Sequence, residues 1–149
     1  MGAFRITRAV ALPAGEVFSR VTDWRGHAAQ VPLTAVRVVT PPPTRVGTRF
    51  VARSGVGRAG FDDPMEVVRW EPPAGGRPGR CRLEKRGSVI MGWAEIEVLP
   101  EGPGAVVVWV EELRIRFLPR LLDPLVVRAG RLVFGRALDG LLRRSSSHL

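Results

Sequence analysis

The sequence contains no tyrosine and no asparagine, and it has one cysteine, one lysine and two histidines. The single cysteine, Cys81, excludes an internal disulfide and a thiolate metal cluster, and it fits a reducing compartment. Neither His27 nor His148 has a second histidine or a cysteine at ligand spacing, so we expect no metal site and no cofactor. The lack of tyrosine also removes one common proton donor from any candidate active site.

The charge is strongly unbalanced, with a net value of +9 and a pI near 11.6. Such values are typical of proteins that bind nucleic acid. Of the 23 basic residues, however, only Lys85 is a lysine, which indicates the coding bias of a GC-rich bacterium. The arginines are also scattered, without an interleaved aromatic platform. We therefore expect no nucleic-acid partner.

The length and hydropathy are those of one globular domain. The 149 residues, 45% of them hydrophobic, provide enough apolar material for a core. The first ten residues alternate and carry arginines, so we expect no export signal and a cytoplasmic protein. We expect a single domain over residues 1–149 with a loose tail at 145–149, present as a monomer or a homodimer.

Hydrophobic periodicity sets the order of the secondary-structure elements. The pattern predicts one strand, two short helices, six further strands separated by Pro and Gly clusters, and one long helix. The predicted strands span residues 3–12, 34–39, 48–54, 61–70, 80–85, 89–98 and 105–117; the short helices lie between residues 13 and 30, and the long helix spans 123–144. This is an α+β arrangement in which a curved, seven-stranded antiparallel sheet wraps around the C-terminal helix.

The long helix carries a stripe of small apolar residues. Ala129, Val133 and Ala137 fall in one sector at 100° per residue, and we expect this sector to lie against the sheet. Asp123 is expected to cap the helix, since Pro124 suits its first turn. In the sheet, we expect a bulge at Gly92, which would decide the side on which Trp93 lies.

One motif resembles a dinucleotide fingerprint. Residues 55–60, GVGRAG, form a literal G-x-G-x-x-G. That fingerprint requires a helix to follow the loop, whereas here Phe61-Asp62-Asp63-Pro64 follows and places carboxylates where phosphate would bind. We interpret the segment as a hairpin connection.

The last strand contains an acidic residue on its apolar side. Trp109 and Leu113 share one parity, and strict alternation turns Glu111 to the same side. A buried acid must be paired, hydrogen-bonded or protonated, and ligand cavities are one place where this occurs. A strand bulge, or a salt bridge to an arginine such as Arg49, Arg53 or Arg136, would also account for it. Asp63, in an earlier strand, is a second acid that alternation turns to the apolar side.

Two other reactive side chains have simpler interpretations. Cys81 alternates with two arginines, so it points inward and is expected to be a small buried hydrophobe rather than a nucleophile. For His27 we expect a solvated loop position, with a proton carrier near a cavity mouth as the alternative.

Several phrases resemble a known family. They are PAGEVFSRVTDWRGHAAQVPL, VGTRF, FDDPMEVVRWEPP, CRLEKRGSV and LPRLLDPLVVRAGRLVFGRAL. Together with the order of elements, they resemble the helix-grip or START-like (SRPBCC) superfamily, specifically the bacterial polyketide cyclase/dehydrase-like proteins. The resemblance implies a helix-grip fold with a hydrophobic cavity between the sheet and the C-terminal helix.

Three functions follow as hypotheses. The first is the binding of a small hydrophobic molecule, such as a lipid or a polyketide, in that cavity. The expected ligand-binding residues are Phe50, Met65, Leu83, Trp109, Glu111, Leu113, Val133 and Ala137. The second is a polyketide cyclase or dehydratase whose catalytic candidates are Glu111 and Asp63; a second titratable group opposite Glu111 would favour it.

The third and most remote hypothesis concerns the basic residues of the long helix. Arg120, Arg128, Arg131, Arg143 and Arg144 could contact anionic lipid at a membrane surface. We interpret them instead as an ordinary solvated face. Arginine and aspartate interrupt the helix every few residues, so we expect no integral membrane contact.

Overall fold

The computed structural model describes residues 3–56, 58–116 and 118–143. The strands are β1 Ala3–Val10, β2 Thr34–Val38, β3 Arg49–Val56, β4 Ala59–Glu71, β5 Gly79–Lys85, β6 Ile90–Glu101 and β7 Gly104–Ile115. The helices are α1 Ala14–Val21, α2 Trp24–Gln30 and α3 Asp123–Leu142, with a 3₁₀ turn at Arg120–Leu122. The predicted ends at residues 117 and 144 and the tail at 145–149 lie outside the described residues.

The seven strands form one antiparallel sheet in the order β1-β7-β6-β5-β4-β3-β2. Pairing β1 with β7 brings the first strand beside the last, so that the remaining strands follow as a meander. Alternate side chains of the strands are buried on one face, where they meet the helices and form the core. The predicted helix-grip architecture is confirmed.

The hairpin interpretation of the glycine-rich segment is also confirmed. Gly55 pairs with Gly60, and Val56 with Ala59, at the turn between β3 and β4. The positive φ of +136° at Gly55 is one that only glycine adopts readily. The two short helices are likewise present where the pattern places them, and Asp23 caps α2 by accepting a 3.1 Å hydrogen bond from the Gly26 amide.

The predicted orientation of the long helix is right for Ala137, which is completely buried, and wrong for Val133 and Ala129. Val133 is 38% exposed and Ala129 is also exposed, whereas Leu138 and Leu141 are completely buried. The buried face is rotated by roughly a quarter of a turn from the stripe of small residues. Exposed leucines occur on the other side as well, so the apolar pattern does not single out one face. Asp123 is the first helical residue rather than the cap.

Contacts with the first strand fix this rotation. A side chain at Gly130 would touch the Phe4 ring at 3.0 Å, so glycine there permits close packing of the helix on β1. Further along the helix, Arg8 Nε donates to Asp139 Oδ1 at 2.7 Å and ties the helix to the same strand. A glycine and an ion pair thus join the buried leucines in holding the helix in this orientation.

The predicted bulge at Gly92 is not found. The pairing of β6 with β7 runs without a shift through Gly92 and Leu113, and the sheet has its register shift in β4, between Val67 and Arg69. Gly92 has φ +131°, and a side chain there would overlap the carbonyl oxygen of Glu112. Because the alternation is unbroken, Trp93 lies on the outer face, 4.6 Å from the Arg82 guanidinium.

Many arginines of the sheet belong to this outer face. Arg49 pairs with Glu66, Arg53 with Asp62, and Arg80 with Glu97. The predicted arginine partners of Glu111 on β3 are thus engaged elsewhere, and Arg136 is exposed on α3. Arg120, Arg128, Arg131 and Arg143 are exposed too, and Arg144 lies outside the described residues. None of the helices in the described part of the chain combines the length and apolar character needed to cross a membrane.

Candidate functional site

A cavity of about 170 Å³ lies between the inner face of the sheet and the helices α2 and α3. An engineered apolar cavity of about 150 Å³ is large enough for one benzene molecule. A ligand wholly inside this cavity therefore has the size of one or two rings. The lining residues are mainly apolar and aromatic, and the rings among them are Trp24, His27, Phe50, Phe61, Trp109 and Phe134.

The structure brings together most of the residues predicted for the site. Those that line the cavity are Phe50, Asp63, Met65, Leu83, Trp109, Glu111 and Leu113. Two predicted lining residues, Ala137 and Val133, do not line the cavity. Ala137 is completely buried but lies outside the lining, and Val133 is turned outward because of the rotation of α3.

The inward orientation predicted for Glu111 is confirmed. The residue is 2% exposed, and its Oε1 accepts a 3.2 Å hydrogen bond from Trp109 Nε1 two positions earlier on β7. Its charged neighbour in the cavity is not an arginine but Lys85, the only lysine of the chain. Lys85 Nζ donates to Asp63 Oδ2 at 3.0 Å, and the two side chains are 4% and 11% exposed. Three strands thus contribute one charged group each.

Burial controls the protonation of these three groups. Removal from water raises the pKa of Glu111, and the positive charge of Lys85 and the Trp109 hydrogen bond oppose that rise. Burial likewise raises the pKa of Asp63 against the attraction of Lys85. Burial disfavours the charge of Lys85, but Glu111 and Asp63 outweigh it, so the pKa of Lys85 is raised. Lys85 is therefore a cation, whereas burial disfavours the charged form of both carboxyl groups.

Three buried polar atoms beside the cavity have no hydrogen-bond partner among the described residues. They are Asp63 Oδ1, Glu111 Oε2 and Trp24 Nε1. An unsatisfied buried polar group costs about 1 to 3 kcal/mol. All three residues line the cavity, so a polar ligand could satisfy these atoms.

The expectation of a solvated loop position for His27 is wrong. The residue lies on α2, lines the cavity and is half-buried, with its ring 5.1 Å from Trp109. Burial lowers its pKa, which keeps the imidazole neutral. Its Nε2 lies 2.7 Å from the Val21 carbonyl oxygen, and since a carbonyl only accepts, Nε2 carries the proton.

Sequence reasoning missed Lys85, although the signal was available. Cys81 and Leu83 were placed inward by alternation, and Lys85 is the next residue of the same parity. The prediction for Cys81 itself is confirmed, since it is 1% exposed and burial raises its pKa to about 12. Trp24 and Phe134 could not be assigned to the cavity, because helix rotation places them there.

The acids and the histidine that line the cavity form no metal site with other described residues. Across residues 3–56, 58–116 and 118–143, no three His, Cys, Asp or Glu side chains come close enough to hold an ion.

A long helix held by a curved antiparallel sheet, with a cavity between them, defines the helix-grip class of folds. Residues 1–146 match the sequence profile of the family described as polyketide cyclase / dehydrase and lipid transport. The chain belongs to this family. No curated protein matches it significantly in sequence.

Solved structures show the same fold at low sequence identity. A protein of Thermus thermophilus is 20% identical with a TM-score of 0.73, covering 94% of each chain. A START superfamily protein of Mycobacterium smegmatis is 14% identical with a TM-score of 0.70, covering 95% of this chain and 97% of the other. The di-domain ARO/CYC BexL, from the BE-7585A biosynthetic pathway, is 18% identical with a TM-score of 0.66, covering 95% and 45%.

Proposed function

We propose that this protein binds a small hydrophobic molecule in the cavity between the sheet and α3, with a polar group of that molecule at Glu111 and Asp63. The observation that carries the proposal is the combination of an aromatic lining with carboxylate oxygens that have no partner in the described part of the chain. Burying about 300 Å² of apolar ligand surface contributes roughly 7 kcal/mol. Association costs about 4 to 15 kcal/mol, so tight binding needs the polar contacts as well.

Native mass spectrometry of the protein purified from its own host tests this proposal. A matched control is Ala52→Phe, which adds a ring at a half-buried lining position on β3. We expect a bound small molecule on the native protein and none on Ala52→Phe. The same adduct on both proteins would place the molecule outside the cavity. A native protein that stays free of ligand even after incubation with a lipid extract of the host would contradict the proposal.

A second candidate function, acid-base catalysis on a β-ketone, is favoured by one observation. Glu111 is not alone in the cavity, because Lys85 and Asp63 lie with it among the lining residues. A carboxylate can remove the proton between two carbonyl groups, and an ammonium or carboxyl group can donate a proton to the developing oxyanion. These are the proton transfers that a cyclase or a dehydratase requires.

Deuterium exchange separates catalysis from binding. The probe is a small acetoacetate thioester, whose exchange at the methylene carbon is followed by NMR in D₂O with and without protein. We expect faster exchange with the native protein, and loss of that acceleration in Asp63→Asn and Glu111→Gln. If the native protein gives only the exchange rate of the buffer, the catalytic candidate fails and the binding proposal is unaffected.

A further inference from the structure

The charged groups inside the cavity do not balance. Two carboxyl groups, Asp63 and Glu111, share one cation, Lys85, so the cluster has a formal charge of −1 when both acids are ionised. No arginine is among the described residues that line the cavity. The chain as a whole carries +9, so this excess, present when both acids are ionised, is opposite in sign to the net charge of the protein.

Both acids of the cluster have hydrogen-bonding capacity left over. Lys85 engages Asp63 Oδ2, and Trp109 engages Glu111 Oε1, which leaves Asp63 Oδ1 and Glu111 Oε2 without partners among the described residues. An ionised carboxylate oxygen only accepts hydrogen bonds. A ligand group that fits both atoms therefore donates more than one hydrogen bond.

The aromatic rings of the lining provide faces that can contact a cation. The Trp109 indole lies beside the Glu111 carboxylate, and Trp24 stacks on Phe50 with ring centroids 4.7 Å apart. Aromatic faces attract ammonium groups, and the attraction is strengthened where water is excluded. With both acids ionised, a carboxylate ligand would meet two like charges against the single positive charge of Lys85. An alcohol would satisfy an acceptor but leave the negative excess uncompensated.

We propose that the natural ligand is a small hydrophobic amine, bound as its ammonium ion between Asp63 and Glu111 with its apolar body against the aromatic lining. The ammonium groups of Lys85 and of the ligand then balance the carboxylates of Asp63 and Glu111. This inference rests on the proposed binding function and adds the chemical class of the ligand. The cavity volume of about 170 Å³ limits the enclosed part of the amine to one or two rings.

Three indane derivatives of nearly identical shape test the charge preference. The probes are 2-aminoindane, 2-indanol and indane-2-carboxylate, titrated into the full-length protein at about pH 7 by isothermal calorimetry. We expect 2-aminoindane to bind at least about tenfold more tightly than 2-indanol, and the carboxylate to bind most weakly. The net charge of +9 favours the carboxylate in nonspecific binding, so overall charge cannot produce this order.

Variants of the two acids test whether these acids cause the preference for the amine. In Glu111→Gln the affinity for 2-aminoindane should fall at least about tenfold, while that for 2-indanol changes less than about threefold. Asp63→Asn provides a second test should the first variant fail to fold. If 2-indanol binds as tightly as 2-aminoindane, or if 2-aminoindane does not bind, or if its affinity is unchanged in these variants, the amine proposal is overturned.

The control Ala52→Phe distinguishes the two proposals. Equal binding of all three probes, abolished by Ala52→Phe, would overturn the amine proposal and leave the binding function intact. Binding of all three that is unaffected by Ala52→Phe would show that the probes bind outside the cavity; this would overturn the amine proposal, and native mass spectrometry would decide the binding function.

Discussion

Replacing Lys85 with methionine tests whether the charged cluster of the cavity is removed from water. Methionine retains an unbranched apolar side chain but lacks the ammonium group, so Asp63 and Glu111 lose their shared cation. Removing one partner of a buried ion pair costs about 3 to 5 kcal/mol, because a buried charge remains uncompensated. The side chain of Lys85 is 4% exposed, so we expect a loss in this range. That is a large part of a typical stability of about 5 to 15 kcal/mol.

The pH dependence of this loss follows from the carboxyl groups. Burial raises the pKa of Asp63 and Glu111, and Lys85 opposes the rise in both. Without Lys85 their folded-state pKa values lie further above the unfolded values of about 4. An acid with a raised pKa lowers stability as the pH rises from its unfolded pKa through its folded pKa. The deficit of Lys85→Met should therefore be smallest near about pH 4 and grow toward about pH 7.

Urea denaturation followed by tryptophan fluorescence measures the free energy of unfolding at each pH. Arg53→Met is the matched control, because Arg53 pairs with Asp62 on the outer face and their side chains are 49% and 57% exposed. Its cost should stay within about 1 kcal/mol. Adding Asp63→Asn to Lys85→Met should recover part of the loss. A Lys85→Met variant that costs no more than Arg53→Met, with no pH dependence, would show that the cluster is solvated and refute the reasoning.

Two further predictions concern α3 and the cysteine. Val133→Arg should change the melting temperature little, because Val133 is 38% exposed, whereas Leu138→Arg should prevent folding, because Leu138 is completely buried. Equal effects in the two variants would contradict the observed rotation of the helix. The Cys81 thiol, with its pKa raised to about 12, should react with Ellman's reagent only after unfolding in urea. Rapid labelling of the native protein would show that β5 is more accessible than the 1% exposure of Cys81 indicates.

Much of the sheet could be predicted because a strand has only two faces. Once Trp109 and Leu113 are assigned to the core, alternation leaves one position for Glu111, and the structure places it there with 2% exposure. The same rule would have found Lys85 from Cys81 and Leu83. The order of elements was equally accessible, since turns of Pro and Gly separate the strands.

The sequence by itself determined which strand residues turn inward, and the tertiary structure decided which of them meet. Asp63, Lys85 and Glu111 lie on three strands, and their distances depend on the register of β4, β5, β6 and β7, including the shift between Val67 and Arg69. The rotation of α3 about its axis depended on tertiary contacts even more than the strand register did. The apolar residues of α3 occur on all sides of the helix axis, so the hydrophobic periodicity of the sequence allowed several rotations of the helix. The close approach of β1 at Gly130 and the ion pair between Arg8 and Asp139 selected the one that turns Val133 to solvent and Phe134 into the cavity.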